Sequence, residues 1–134
     1  MYRARMGVSA QALGISQQAY EEALKYAKER MQFGKAIYGI PVVTNMLVDM
    51  RVALEVNRTM FYNAAMTVDL KERLEEKIAQ LKLEGVSTSD LTVRLKEVTK
   101  VAGFLTPVCK YLLTEGCNKI AYDALQIHLS LIHI

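Results

Sequence analysis

Apolar residues recur at every third or fourth position through three long stretches of this chain. In the first, residues 4–31, Val8, Leu13, Ile15, Ala19, Ala23, Tyr26 and Ala27 draw one stripe, while Gln17, Gln18, Glu21, Glu22, Lys25 and Lys28 mostly face away. That period predicts a helix. Gly7 and Gly14 each cost about 1 kcal/mol relative to alanine inside a helix, so with Ala10 and Ala12 they point to a neighbour packed close. Residues 33–41 break the period with two glycines and end in Pro41, which suits the first turn of a second helix. That helix carries Val42, Met46, Met50, Ala53, Leu54, Asn57, Met60 and Phe61 near i, i+4, i+7 spacing and continues through Ala64 and Ala65 towards Leu70.

Between Asp69 and Glu84 the pattern stays helical but becomes heavily charged, with Leu70, Leu74, Ile78 and Leu81 as a narrow stripe. This segment reads as an exposed extension or a short separate helix. Residues 85–90 form the clearest loop, where Ser87 and Asp90 resemble a capping box. A third helix is predicted over residues 90–128, bent at Pro107, which lacks an amide donor and crowds the preceding turn. Its later half is strongly apolar through Leu112, Cys117, Ile120, Ala121, Ala124, Leu125 and Ile127. The expected fold is therefore all-α, an antiparallel up-down helical bundle. Stripes of this kind are usually closed by a fourth helix, so the expectation is three long helices of a four-helix bundle with the fourth missing.

Composition agrees. A chain of 134 residues with 51% hydrophobic content fits one domain with a real core, and seven glycines and two prolines are few. The net charge of +3 is interspersed with acidic residues, as in Glu29 beside Arg30 and in residues 71–77, which marks solvated helix faces rather than a nucleic-acid patch. No apolar run approaches the roughly 20 residues of a membrane span, and the start carries no signal-peptide core, so a soluble cytoplasmic protein is expected. Cys109 and Cys117 lie about 12 Å apart along one helix and cannot bridge each other. Neither has ligand spacing, and no metal site is expected.

Periodicity alone stops at a helical bundle. The run Ala10-Gln11-Ala12-Leu13-Gly14-Ile15, followed by Ala23-Leu24-Lys25-Tyr26-Ala27-Lys28-Glu29-Arg30-Met31-Gln32-Phe33-Gly34-Lys35, resembles the first helix and following turn of the C-terminal domain of acyl-CoA dehydrogenases. Met46-Leu47-Val48-Asp49-Met50 and Asp123-Ala124-Leu125-Gln126-Ile127-His128 agree with that domain in order and spacing. The resemblance covers residues 4–128. The longer link after Asp69 and the run Gly103-Phe104-Leu105-Thr106-Pro107-Val108-Cys109-Lys110-Tyr111 look most like the branch that includes methylthiopropanoyl-CoA dehydrogenases.

The resemblance implies a flavoenzyme that removes hydrogens from the α and β carbons of an acyl-CoA thioester to leave a trans-2-enoyl-CoA. It implies FAD as cofactor, an electron-transfer flavoprotein as acceptor and a homotetramer. By the same resemblance Arg30 reaches the phosphate oxygens of an FAD held mainly by a neighbouring subunit, Gln32 and Phe33 contact its adenosine half, and Gln126 precedes a Gly-Gly turn lying against the phosphates. Arg5 corresponds to an arginine near the thioester pocket. Each has a plainer reading. Arg30 would stabilise a helix C-terminus by about 0.3 to 1 kcal/mol, Phe33 would be a core aromatic, Gln126 surface decoration and Arg5 an exposed helix start.

The chain also departs from the family. Ile40-Pro41 stands where many members have a polar pair touching the flavin, and Leu129-Ser130 stands where the two glycines are expected. Ala4 occupies the position of some members' catalytic glutamate, and the more usual glutamate falls beyond the chain, so no catalytic residue is assigned. Residues 129–134 resemble the conceptual translation of a sequencing adapter, leaving residues 1–128 as an incomplete domain that alone would be inactive. Two alternatives stay open: a non-enzymatic helical interaction module, and a fragment of an acyl-CoA oxidase.

Overall fold

The computed structural model describes residues 2–129. Three helices dominate: α1 (Tyr2–Glu29), α2 (Pro41–Leu83) and α3 (Ser89–Leu129). Between α1 and α2 the chain makes a two-stranded antiparallel hairpin, β1 (Met31–Gln32) and β2 (Lys35–Ala36), then one 3-10 turn over Ile37–Gly39. The periodicity gave no sign of that hairpin, because two residues per strand are too few to show alternation.

The helices run up, down and up. Arg3 at the start of α1 donates two hydrogen bonds to Glu72 late in α2, at 2.9 and 2.7 Å, while Tyr26 near the end of α1 stacks on His128 at the end of α3. Two apolar clusters fill the interior. At the end bearing the hairpin, Ala23, Ala27, Ile37, Leu47, Met50, Leu54, Ile120 and Ile127 pack together, and Ile37 is completely buried. Towards the other end lie Met6, Ala12, Ala64, Val68, Ala102, Cys109 and Leu113.

Most of the stripe expected on α1 packs inward, with Ala23 and Ala27 buried and Leu13, Ala19 and Tyr26 against the core, but two of its members do not. Ser9 and Ser16 are buried, whereas Val8 and Ile15 are exposed. Each serine hydroxyl donates to the carbonyl four residues earlier, at 3.0 and 2.8 Å, so its donor is satisfied by its own helix. Small residues on that line let α1 and α3 approach closely. Gly7 and Gly14 point elsewhere, since a Cβ at either would meet nothing within 4 Å. The close approach occurs instead at Gly116, where a Cβ would overlap Asn57 Nδ2 and lie 3.4 Å from Asn57 Cγ.

α2 begins at Pro41 without a side-chain cap; Thr44 holds the turn by donating its hydroxyl to the Tyr38 carbonyl at 2.6 Å. The charged segment after Asp69 is not a separate helix but a largely exposed extension of α2. It continues α2 without interruption and lies beyond the start of α1, where α2 and the first turns of α3 run together as a two-helix arm. Ile78 is buried there, with Leu74, Leu91, Leu95 and Val98 half-buried. The expected capping box does not form as read: α3 starts at Ser89, and the Thr88 carbonyl accepts its first bond from Thr92. Helix α3 passes through Pro107 with no break in its run. Cys109 and Cys117 are free and buried, and burial pushes the Cys109 thiol pKa up.

Candidate cofactor-contacting end of the bundle

Four of the five candidate residues collect where α1 ends, α2 begins and α3 ends. The Arg30 amide still donates to the Tyr26 carbonyl at 2.9 Å, so Arg30 closes the helix, and its carbonyl then accepts from Ile37 at 2.9 Å. These bonds and the buried Ile37 side chain fix the hairpin to the bundle. Register pairs Met31 with Ala36 and Gln32 with Lys35, leaving Phe33 and Gly34 as the turn. Both have positive φ, 53° and 76° respectively, as a two-residue type I′ hairpin requires.

Glycine adopts that backbone freely; phenylalanine does not. Phe33 is nevertheless held there and is 73% exposed, so it is no core aromatic. A bulky residue in an unfavourable conformation that buries little of its ring is a functional pointer, because strain of this kind concentrates at ligand clamps. The Arg30 guanidinium is exposed and makes no ion pair or side-chain hydrogen bond among the described residues. Gln32 and Gln126 are half-buried, with side-chain amides likewise unpaired among the described residues.

The arrangement offers a permanent cation, two neutral amides and an exposed aromatic face. It suits an anion joined to a flat ring system. The C-terminal ends of α1 and α3 carry partial negative charge that would repel phosphate; Lys28, Arg30 and Lys35 oppose it, with Glu29 the acidic residue among them. No cluster of metal-ligating side chains occurs among the described residues.

Arg5 is not part of this group. It lies in the first turns of α1, about 37 Å along the helix from Arg30 at the standard rise per residue. Its carbonyl accepts from Ser9, and its side chain makes no bond among the described residues.

A different feature fills the outside of α2 and α3. Val48, Val52, Val56, Met66 and Leu70 form a second apolar line on α2, opposite its core face. A cleft of about 690 Å³ lies beside it, lined by Val56, Met60 and Leu105 with Thr59, Asn63 and Thr67. Those three polar side chains donate to carbonyls four residues back in their own helix, at 2.9, 3.0 and 2.8 Å, so the two threonine hydroxyl protons are used and one N–H of Asn63 remains. None of the candidate residues lines this cleft.

The family model described as "Acyl-CoA dehydrogenase, C-terminal domain" matches residues 1–128. The chain belongs to the acyl-CoA dehydrogenase family, whose members are FAD-dependent flavoproteins. It is 36% identical over 92% of its length to subunit CarC of the caffeyl-CoA reductase-Etf complex of Acetobacterium woodii, covering 25% of that protein. It is 32% identical over 92% of its length to the 3-(aryl)acrylate reductase of Clostridium sporogenes, covering 26%. Human mitochondrial short-chain specific acyl-CoA dehydrogenase is 40% identical over 59% of the chain, which covers 19% of it. Among solved structures, butyryl-CoA dehydrogenase from Megasphaera elsdenii aligns over 97% of this chain and 36% of its own, at 23% identity and a TM-score of 0.46. The chain thus spans about a quarter of the length of the first two relatives. Among the described residues no helix is long and apolar enough to cross a membrane.

Proposed function

We propose that this segment is part of an FAD-dependent acyl-CoA dehydrogenase that oxidises an acyl-CoA thioester to a trans-2-enoyl-CoA, and that it contributes FAD contacts across a subunit interface. One observation carries the reading beyond family membership: Gln126, 96 positions from Arg30 in the chain, is brought to the same end of the bundle as Arg30, Gln32 and Phe33, and the side-chain polar groups of Arg30, Gln32 and Gln126 are unpaired among the described residues. The fit to FAD is chemical. A guanidinium suits a pyrophosphate, and an exposed ring held at positive φ suits an adenine face. When bound, FAD supplies the hydride acceptor for the β carbon. This chain's residues bind and orient; none of them is assigned as the base that takes the α proton. Arg5, at the far end of α1, belongs to a separate acyl-CoA pocket in this reading.

Residues 1–128 are read as an incomplete domain, with the apolar cleft on α2 and α3 covered by a further helix of the longer protein and by other subunits of a homo-oligomer. The isolated chain is inactive in this reading, and an electron-transfer flavoprotein is the partner of the parent enzyme. A second reading has a specific motive: two relatives that align over 92% of this chain are reductases, one of them in a complex with Etf. The same centre would then run towards reduction of the α,β double bond. The narrower placement in the methylthiopropanoyl-CoA branch rests on the longer link after Asp69 and on residues 103–111.

The test is FAD affinity of the full-length enzyme after substituting Arg30→Ala and Gln126→Ala. Loss of a charge-assisted contact worth about 1.5 to 3 kcal/mol predicts roughly 10- to 100-fold weaker binding for Arg30→Ala. Unchanged affinity in both variants overturns the assignment. Bleaching of flavin absorbance by a saturated acyl-CoA, against re-oxidation of the reduced flavin by an enoyl-CoA, separates the two directions.

A further inference from the structure

We infer that His128, paired with Tyr26, is a positioning residue that holds the Arg30 and Gln126 halves of the FAD-contacting site in register. The inference rests on the FAD reading and adds a residue to which the sequence assigned no role. The rings of Tyr26 and His128 are stacked, with centroids 4.4 Å apart and planes 29° from parallel. Both side chains are half-buried. Behind each ring stands one half of the site. The Tyr26 carbonyl accepts the Arg30 amide at 2.9 Å, so any displacement of Tyr26 is passed to Arg30 through the last bond of α1. His128 lies two residues after Gln126, and its Nδ1 is 2.8 Å from the Ala124 carbonyl.

A carbonyl only accepts, so that contact places a proton on Nδ1 and pins the imidazole against its own helix. The ring therefore has little freedom to turn away from Tyr26. Arg30 and Gln126 are 96 positions apart in the chain, and neither bonds the other among the described residues. Ala27 and Ile127 bury apolar surface beside the stack, which joins the helices but leaves rotation and sliding about their axes weakly defined. A stacked pair is directional and removes that slack.

The test uses the full-length enzyme, with FAD affinity measured by reconstitution of the apoprotein, the visible circular dichroism of bound flavin, and the thermal midpoint. His128→Ala and Tyr26→Leu are each expected to weaken FAD about fivefold to tenfold, the range that one aromatic pair supports, and to alter the flavin dichroism. The double variant is expected to be no weaker than either single one, as for two residues acting through one contact. His128→Phe keeps a ring against Tyr26 but loses the Nδ1 bond, and is expected to recover part of the affinity lost in His128→Ala.

The inference is overturned if Arg30→Ala weakens FAD while His128→Ala and Tyr26→Leu lower only the thermal midpoint, or if His128→Phe is as weak as His128→Ala. Should Arg30→Ala and Gln126→Ala both leave affinity unchanged, the FAD reading itself fails, and the role of His128 falls with it. If His128→Ala does not fold, Tyr26→Leu and His128→Phe decide the matter by the same criteria.

Discussion

Replacing Phe33 with asparagine is expected to stabilise the chain while weakening its hold on FAD. Phe33 has φ of 53° in a turn whose other central residue, Gly34, is at 76°. Holding a non-glycine residue there costs of order 1 kcal/mol, and Asn-Gly is the pair this turn prefers. Against that gain stands the lost burial of the ring. Phe33 is 73% exposed, so only about a quarter of a side chain worth roughly 1.5 to 3 kcal/mol when fully buried is at stake, or about 0.5 kcal/mol. The difference favours Phe33→Asn by about 0.5 kcal/mol, a rise in midpoint of about 2 °C for a chain of this size. Thermal unfolding followed by far-ultraviolet circular dichroism measures it on this chain, and apoprotein reconstitution measures FAD affinity in the full-length enzyme. A midpoint lowered by more than about 2 °C would refute the strain argument. Unchanged FAD affinity would refute the claim that the strain is kept for ligand contact.

The remaining expectations concern the bundle itself. Gly116→Ala should lower the midpoint because its Cβ overlaps Asn57, and adding Asn57→Ala should recover part of the loss; Gly14→Ala meets nothing within 4 Å and should raise it, by about 1 kcal/mol of helix propensity, with the reverse order sinking the packing account. The Glu72 carboxyl is held below its ordinary pKa by the hydrogen bond from Arg3 and by that charge. A lowered folded pKa means a contribution complete above the unfolded value and lost as pH falls through the folded one, so Glu72→Gln should be slightly less stable than the parent at pH 7 and indistinguishable from it well below pH 4; a gap that widens in acid contradicts this. The exposed line on α2 predicts self-association of the isolated chain, and Val52→Glu with Met66→Lys should shift sedimentation towards monomer; an unchanged profile places the association elsewhere.

Long helices were legible in the sequence because their period repeats over many turns. The buried face of α1 was legible only in part, since Ser9 and Ser16 replace Val8 and Ile15 inside, and hydropathy cannot register a hydroxyl satisfied by its own backbone. On α2 the line from Val48 to Leu70 competes with the core line through Leu47, Met50 and Leu54, so a single stripe was the wrong picture. Arg30, Gln32 and Phe33 could be named from the family motif, but their convergence with Gln126 depends on α1 and α3 ending together. The stack of Tyr26 on His128 had no signal in the sequence, because its partners lie 102 residues apart.

The two-helix arm makes the length of this protein adjustable. Beyond Glu72 on α2 and in the first turns of α3, ahead of the cluster that holds Ala102, the two helices run together as the arm, so a matched insertion of two turns in both would keep every facing pair in phase. Seven residues in each helix would carry the tip outward by about 10 Å without disturbing either apolar cluster. An unmatched insertion would rotate Ile78 out of its seam. Relatives should therefore differ in reach at this tip in whole heptads, and the arm is the place where a fixed bundle can be fitted to neighbours of different girth.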